Sequence, residues 1–181
     1  RVREYVTVTE PEPEQEQEET QTEPEAEEAK PVPPQVDFDS LKAINPDVIG
    51  WIQIEGTSIS YPIMKGTDNE YYLKHTFEGN YNAAGSIFID YTNNSNFEDC
   101  NTIIYGNNMK NGSMFGLLRK HFKDQEAVPG RYIWICTPDK NYRYEIFSSH
   151  VVDAAGEVYT LFSAPDEQFA SYLEKMKSQS L

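Results

Sequence analysis

Two kinds of side chain in this sequence could carry out polar covalent chemistry near neutral pH. The thiols are Cys100 and Cys136, and the imidazoles are His75, His121 and His150. A thiolate is a strong nucleophile, but it also needs a group that protonates the leaving group and a donor that stabilises the oxyanion. No histidine is spaced with Cys, Asp or Glu as metal ligands are, so we expect neither a metal site nor a cofactor.

A cluster of polar residues follows an apolar, β-prone run at residues 101–110, which read Asn-Thr-Ile-Ile-Tyr-Gly-Asn-Asn-Met-Lys. This pattern predicts a buried strand whose chain turns sharply, because glycine and asparagine tolerate positive φ angles. Polar side chains on a loop that leaves a strand are where functional sites are usually built.

Three further segments join this one in a recognisable order: residues 68–73 (Asp-Asn-Glu-Tyr-Tyr-Leu), 85–91 (Gly-Ser-Ile-Phe-Ile-Asp-Tyr) and 112–116 (Gly-Ser-Met-Phe-Gly). Together they resemble the class B sortases, cysteine transpeptidases of Gram-positive cell surfaces. The resemblance covers about residues 37–181. In that family the loop reads Tyr-Gly-His-Asn-Met and the histidine is catalytic, whereas here the position is Asn107.

The resemblance implies a cysteine, a histidine and an arginine as catalytic groups. The family's Thr-Cys motif and its arginine lie on two closing strands after a helix that we place at residues 166–177, and the 181 residues contain neither strand. An amide does not titrate near neutral pH, so Asn107 cannot transfer a proton. We therefore expect the chain to be inactive, with Asn107 satisfying a turn rather than acting in catalysis.

Cys136 and Arg143 have a spacing similar to that of the family's cysteine and arginine, which are missing here. Cys136-Thr137 is followed by Arg143 on the next predicted strand, but the cysteine comes too soon after the loop at Asn107. The alternation along residues 132–136 is explained by the two faces of one strand. We interpret both cysteines as ordinary reduced thiols, although two cysteines permit one disulfide.

Residues 68–73 correspond to a family segment that lines the peptide site. The resemblance therefore implies that Asn69 and Leu73 bind substrate. The alternative for each is structural, Asn69 as part of a helix cap and Leu73 as a core residue, and the sequence leaves both open. Residues 153–176 correspond to a loop and helix that flank the same groove.

Several short strands interrupted by helices predict a mostly β domain with peripheral helices. We expect a sortase-like β-barrel or rolled sheet, incomplete at its C-terminus. A missing strand pair would leave an exposed edge that favours aggregation or swapping. The predicted elements are a helix from Asp37 or Asp39 to Ile44, a hairpin of 48–54 with 58–63, a short helix over 68–75 with Tyr72 and Leu73 inward, strands at 86–90 and 102–105, a helix from Asn111 or Ser113 to His121, a hairpin of 131–137 with 142–147, and the helix at 166–177. Pro62 predicts an edge or a break in pairing.

Charge divides the chain in two. The formal net charge is −15, and residues 1–36 hold eleven glutamates against three basic residues. This composition cannot offset its ordering entropy, so we assign residues 1–36 as an acidic, disordered stalk or linker and residues 37–181 as the domain. A solubilising tail is the alternative to a stalk. The acidic balance argues against a nucleic-acid partner.

The chain begins with Arg1 and has no apolar run long enough to cross a bilayer. The resemblance implies an extracytoplasmic protein at the cell surface, and we expect an upstream segment to hold it to the membrane. Its implied partners are the sorting-signal peptide of a surface protein and a peptidoglycan amine acceptor. Two other functions stay open, a non-catalytic sortase-like module that binds peptides or the cell wall, and a plain structural domain on an acidic stalk.

Overall fold

The computed structural model describes residues 2–7, 31–118, 132–153 and 156–180. The core of this part of the chain is a curled six-stranded sheet with few helices, which confirms the predicted fold class. Short 3-10 helices lie at Val2–Tyr5, Tyr71–Leu73 and Glu157–Tyr159. The strands are β1 (Val6–Thr7), β2 (Gln35–Val36), β3 (Val48–Ile54), β4 (Ser60–Met64), β5 (Ile87–Ile89), β6 (Ile104–Tyr105), β7 (Tyr132–Cys136) and β8 (Asn141–Glu145), and the helices are α1 (Phe38–Ile44) and α2 (Glu167–Ser178).

The sheet has the strand order β6-β5-β4-β3-β7-β8. Both predicted hairpins are present, as the antiparallel pairs β3–β4 and β7–β8. In contrast, β4 and β5 are parallel, so the chain must cross over between them. That crossover carries residues 65–86, and it therefore brings the segment 68–73 to one end of the sheet.

Pro62 lies in a central strand rather than an edge strand. It pairs with Trp51 of β3, whereas the pairing of β4 with β5 begins only at Ile63. The prediction of an edge was therefore wrong and that of a break in pairing was right, because a proline cannot donate a backbone hydrogen bond to a second neighbour.

One face of the sheet, called here the closed face, is covered by elements from the N-terminal half. Helix α1 begins at the predicted cap, since the Asp37 carboxylate accepts a hydrogen bond from the backbone N–H of Ser40 at 3.0 Å. Leu41 of this helix is fully buried against the sheet. The closed face consists of the buried residues Leu41, Val48, Trp51, Met64, Tyr72, Phe77, Phe88, Trp134 and Cys136.

The opposite face, called here the open face, is rich in isoleucine and is covered only in part. It consists of the buried residues Ile52, Ile63, Ile87, Ile89, Phe97, Met114 and Ile135, with Ile104, Phe115 and Ile133 partly buried beside them. A hollow of about 440 Å³ lies on this side, and Ile54, Cys100, Leu118 and Ile146 also line it.

Residues 2–7 lie against the domain. Val6 pairs with Val36 and Thr7 with Gln35, and the Tyr5 ring meets the Phe77 ring edge-on at 6.2 Å. Thr7 and Gln35, which flank the segment 8–34, are therefore strand partners. The division of the chain at residue 36 stays a prediction, and residues 8–30 lie outside the described part.

Helices α1 and α2 lie close to their predicted positions, whereas the helix predicted over 68–75 is only the 3-10 turn Tyr71–Leu73. Asp166 caps α2 by accepting hydrogen bonds from the backbone N–H groups of Gln168 and Phe169 at 3.0 and 3.1 Å. The helix predicted from residue 111 or 113 begins only at residue 116, because Gly112 and Met114 have positive φ angles. Its predicted end at His121 lies outside the described residues. Among the described helices, none combines the length and apolar character that crossing a membrane requires.

Candidate functional site

The loop after β6 leaves the sheet through Gly106. A Cβ on this residue would lie 2.5 Å from the Ile87 side chain and 2.6 Å from the Phe115 ring. Gly106 is not among the glycines with positive φ, so the predicted reason for glycine here was wrong. Close packing between a core strand and the following loop excludes a side chain.

Asn107 points back toward the protein. Its amide Nδ2 donates to the carbonyl oxygens of Leu73 at 2.8 Å, Ala84 at 3.1 Å and Ala83 at 3.2 Å. Three acceptors surround a group with two hydrogens, so the position requires a donor. Asn107 fastens the loop to the crossover, and its amide contacts the backbone of Leu73.

Leu73 does not belong to the core. It is 37% exposed, whereas its neighbour Tyr72 is 1% exposed and packs in the closed face. The prediction that both side chains point inward was wrong, because a 3-10 turn of three residues rotates successive side chains by about 120°. The exposed Leu73 side chain is available to a ligand, and its role in substrate binding stays a prediction.

Asn69 is held from both ends of its amide. Nδ2 donates to Asp90 Oδ2 at 2.7 Å, and Oδ1 accepts from the Tyr91 N–H at 3.0 Å. The turn is capped by Asp68 instead, which accepts from the N–H groups of Glu70 and Tyr71. Asn69 therefore ties the crossover to the end of β5, while its predicted contact with substrate stays a prediction.

Asp90 and Tyr105 are site residues that sequence reasoning missed. Asp90 is 8% exposed and accepts hydrogen bonds from Asn69, from Thr92 and from the Tyr105 hydroxyl at 2.9 Å. Burial acts to raise the pKa of Asp90, but the bonds from Thr92, Asn69 and Tyr105 outweigh it and the pKa is lowered. The available signal was an acid directly after the apolar strand Ile87–Ile89.

Burial, together with the hydrogen bond to Asp90, raises the pKa of Tyr105 to about 12. Tyr105 therefore stays a neutral hydrogen-bond donor. Its ring lies beside that of Tyr159, with centroids 6.3 Å apart and an angle of 18°. The 3-10 helix Glu157–Tyr159 thus lies beside Tyr105, while the role of residues 153–176 as a flank of the peptide groove stays a prediction.

Cys136 and Arg143 do not form a catalytic pair. Cys136 is buried in the closed face, and burial raises the pKa of its thiol to about 11, so little thiolate exists near neutral pH. Arg143 donates to both oxygens of Glu55 at 2.8 and 2.9 Å and lies 3.6 Å above the centre of the Tyr132 ring. Both residues are structural, and both cysteines are free thiols.

His75 and His150 take no part in this arrangement. His75 stacks on Tyr71 with ring centroids 4.0 Å apart, and His150 Nδ1 lies 3.2 Å from Ser148 Oγ. His121 lies outside the described residues. Within the described ranges, no three His, Cys, Asp or Glu side chains group as metal ligands would.

Comparison with known proteins gives a consistent result. Residues 52–173 match the family model of the sortase domain. Sortase B of Listeria monocytogenes is 41% identical over 143 residues, which are 78% of this chain and 57% of that protein. The chain thus spans little more than half the length of this relative.

Two solved structures share the fold. The X-ray structure of Clostridium perfringens sortase B has a TM-score of 0.73 at 39% identity and covers 80% of each chain. The Staphylococcus aureus sortase B–substrate complex has a TM-score of 0.73 at 30% identity and covers 79% of this chain and 66% of that one.

Proposed function

Because this chain belongs to the class B sortases of the sortase family, we propose that it holds the peptide-binding part of a cysteine transpeptidase. In this family the reaction cuts a sorting signal through a thioacyl intermediate and joins the protein to an amine of the peptidoglycan bridge. The substrate is then the sorting-signal peptide of a surface protein, and the acceptor is a peptidoglycan amine. We infer that the protein acts at the cell surface, on the wall side of the membrane.

One observation carries this proposal: the side chain of Asn107 contacts the carbonyl of Leu73. The family's catalytic position and the segment that lines its peptide site therefore meet in this chain. Leu73 presents an exposed apolar side chain, and Tyr105 presents a neutral aromatic ring. An extended peptide needs such apolar contacts for specificity beside backbone hydrogen bonds.

We further propose that these 181 residues bind the peptide without processing it. Asn107 cannot transfer a proton, and its N–H groups already serve three carbonyl oxygens. The thiol of Cys136 is buried and its pKa is raised, while Cys100 lines the hollow on the open face. The replacement of a titrating side chain by Asn107 equally supports the alternative function, a non-catalytic module that binds peptides.

The experiment is a fluorescence-anisotropy titration of the chain with a library of ten-residue peptides and with the substrate of the Staphylococcus aureus complex. We expect at least one peptide to bind saturably, and Leu73→Asp to weaken it about tenfold or more because a charge replaces an apolar contact. Ile44→Asp is the matched control, since Ile44 is 43% exposed but lies on α1. Absence of saturable binding at millimolar peptide would exclude the function.

Catalysis is tested separately. Mass spectrometry of each bound peptide, incubated with an amine such as triglycine, should show no cleavage and no joined product. Cleavage by the unmodified chain would show that Asn107 and the two cysteines do not limit the reaction as proposed.

A further inference from the structure

The segment Gly156–Thr160 borders the site but buries little of itself. No residue of its 3-10 helix is buried, and Tyr159 is 38% exposed. The ion pair between Glu157 and Lys175 is exposed on both sides and contributes little. Packing alone therefore stabilises this segment weakly, and its position depends on hydrogen bonds from elsewhere.

Asn101 supplies two of these bonds from a distant part of the chain. Its amide Nδ2 donates to the carbonyl oxygens of Thr160 at 2.8 Å and Val158 at 3.1 Å. The two carbonyls lie on either side of Tyr159, so a single side chain holds this residue at both ends. The Tyr172 hydroxyl adds a longer bond of 3.4 Å to Val158.

Asn101 is itself firmly placed. The backbone carbonyl oxygen of Asn101 accepts a hydrogen bond at 2.9 Å from the side-chain amide of Asn93, which is 2% exposed. The Asn93 Oδ1 in turn accepts from the N–H of Ile103 at 2.9 Å. The anchor therefore belongs to the loop that leads into β6, whose residue Asn93 is buried, and it lies four residues before Tyr105.

We propose that Asn101 is a positioning residue of the peptide groove, which holds Gly156–Thr160 in place and keeps Tyr159 beside Tyr105. This inference rests on the proposed function, because it assigns one border of the same groove. Asn101 does not touch the peptide itself. It acts through the backbone carbonyls of Val158 and Thr160, which it holds in place.

Asn101→Asp tests the proposal with almost no change in size. A carboxylate cannot donate, and the two carbonyl oxygens repel it. The matched control is Asn141→Asp, the same change at an exposed residue on β8. We expect the tightest-binding peptide of the library to bind Asn101→Asp about tenfold more weakly and Asn141→Asp within about twofold of the parent chain.

Backbone hydrogen exchange provides the second readout. The N–H of Thr160 donates to the Glu157 carbonyl at 3.0 Å within the anchored segment. We expect its exchange to become about tenfold faster in Asn101→Asp, with no change at Ile52 in the centre of the sheet. General destabilisation would instead accelerate both.

Each combination of results is decisive. Faster exchange at Thr160 with unchanged affinity would make Asn101 purely structural, and weaker binding without faster exchange would mean that it touches the peptide, so either overturns the proposal. If the parent chain binds no peptide, the proposed function fails. Exchange at Thr160 then decides alone whether Asn101 anchors the segment.

Discussion

The two faces of the sheet come from the same strands but are covered by different parts of the chain. The closed face packs against α1, residues 2–7 and the crossover turn, and Leu41, Trp51 and Met64 in it are fully buried. The open face has isoleucines of the same strands, but Ile104 and Ile133 remain partly exposed beside the hollow.

The difference separates stability from function. Buried apolar area contributes most to folding, and the closed face has the larger number of buried residues. The loop of Asn107 packs on the open face through Met109 and Phe115, next to the region that is only partly covered. The site is thus held by hydrogen bonds and the domain by packing, so substitutions in the two regions should have different effects.

The largest effect is expected from Leu41→Ala. Removing this fully buried side chain should lower the free energy of unfolding by about 2–5 kcal/mol. Ile133→Ala on the open face should cost about 1 kcal/mol, because Ile133 already contacts solvent. Urea unfolding of both variants at pH 7 measures the difference, and equal losses would show that the faces are equivalent.

A disulfide between positions 7 and 35 sharpens the role of the N-terminal residues. Thr7 and Gln35 are direct strand partners, so Thr7→Cys with Gln35→Cys should oxidise readily and stabilise the domain by about 2–4 kcal/mol. After cleavage by a protease specific for glutamate within residues 10–28, the two pieces should stay joined until reduction. The control pair is Thr7→Cys with Asp39→Cys. Both pairs are made in a chain that also carries Cys100→Ser. Equal cross-linking by the two pairs would show that residues 2–7 do not pack on the closed face.

Asp90→Asn probes the hydrogen bonds at the site, and we expect a loss of about 1–3 kcal/mol because a buried acceptor becomes partly a donor. The pKa of Asp90 is lowered in the folded state, so its ionised carboxylate stabilises the fold at pH values above about 3.9, the ordinary pKa of an aspartate. This contribution is lost as pH falls through the folded-state pKa. The stability difference from the parent should therefore be constant from pH 5 to 8 and shrink below about pH 4. Urea unfolding across this range, with the exposed Asp139→Asn as control, measures it. A difference that persists at the lowest pH would mean that the ionised carboxylate is not the cause.

The sequence was sufficient to predict the elements whose signals are local. Both hairpins, the cap at Asp37 and the helix begun by Asp166 follow from residues close together in the chain. The family assignment likewise needed only four short motifs that follow one another in the family's order.

What the sequence did not predict depends on tertiary contacts. The outward turn of Leu73 follows from a 3-10 geometry that its pattern does not distinguish from an α-helix. The packing around Gly106 and the bond from Tyr105 to Asp90 join segments that are distant in sequence. The pairing of β1 with β2 could not be predicted, because each strand has only two residues and 29 residues separate Val6 from Val36.

The smallest expected effect concerns the charge that the site favours. In Asn107→His the imidazole would face the three carbonyl oxygens of Leu73, Ala83 and Ala84, which stabilise its protonated form. Its pKa should therefore rise about 0.5–1 unit above the ordinary value near 6.5, as measured by NMR titration. The associated stabilisation is present below pH 6.5 and is lost as pH rises through the folded-state pKa. Asn108→His places the same group at the exposed neighbouring position and should titrate normally. A lower pKa at position 107 than at 108 would mean that burial outweighs the carbonyl oxygens, and that this end of the sheet does not favour the protonated imidazole.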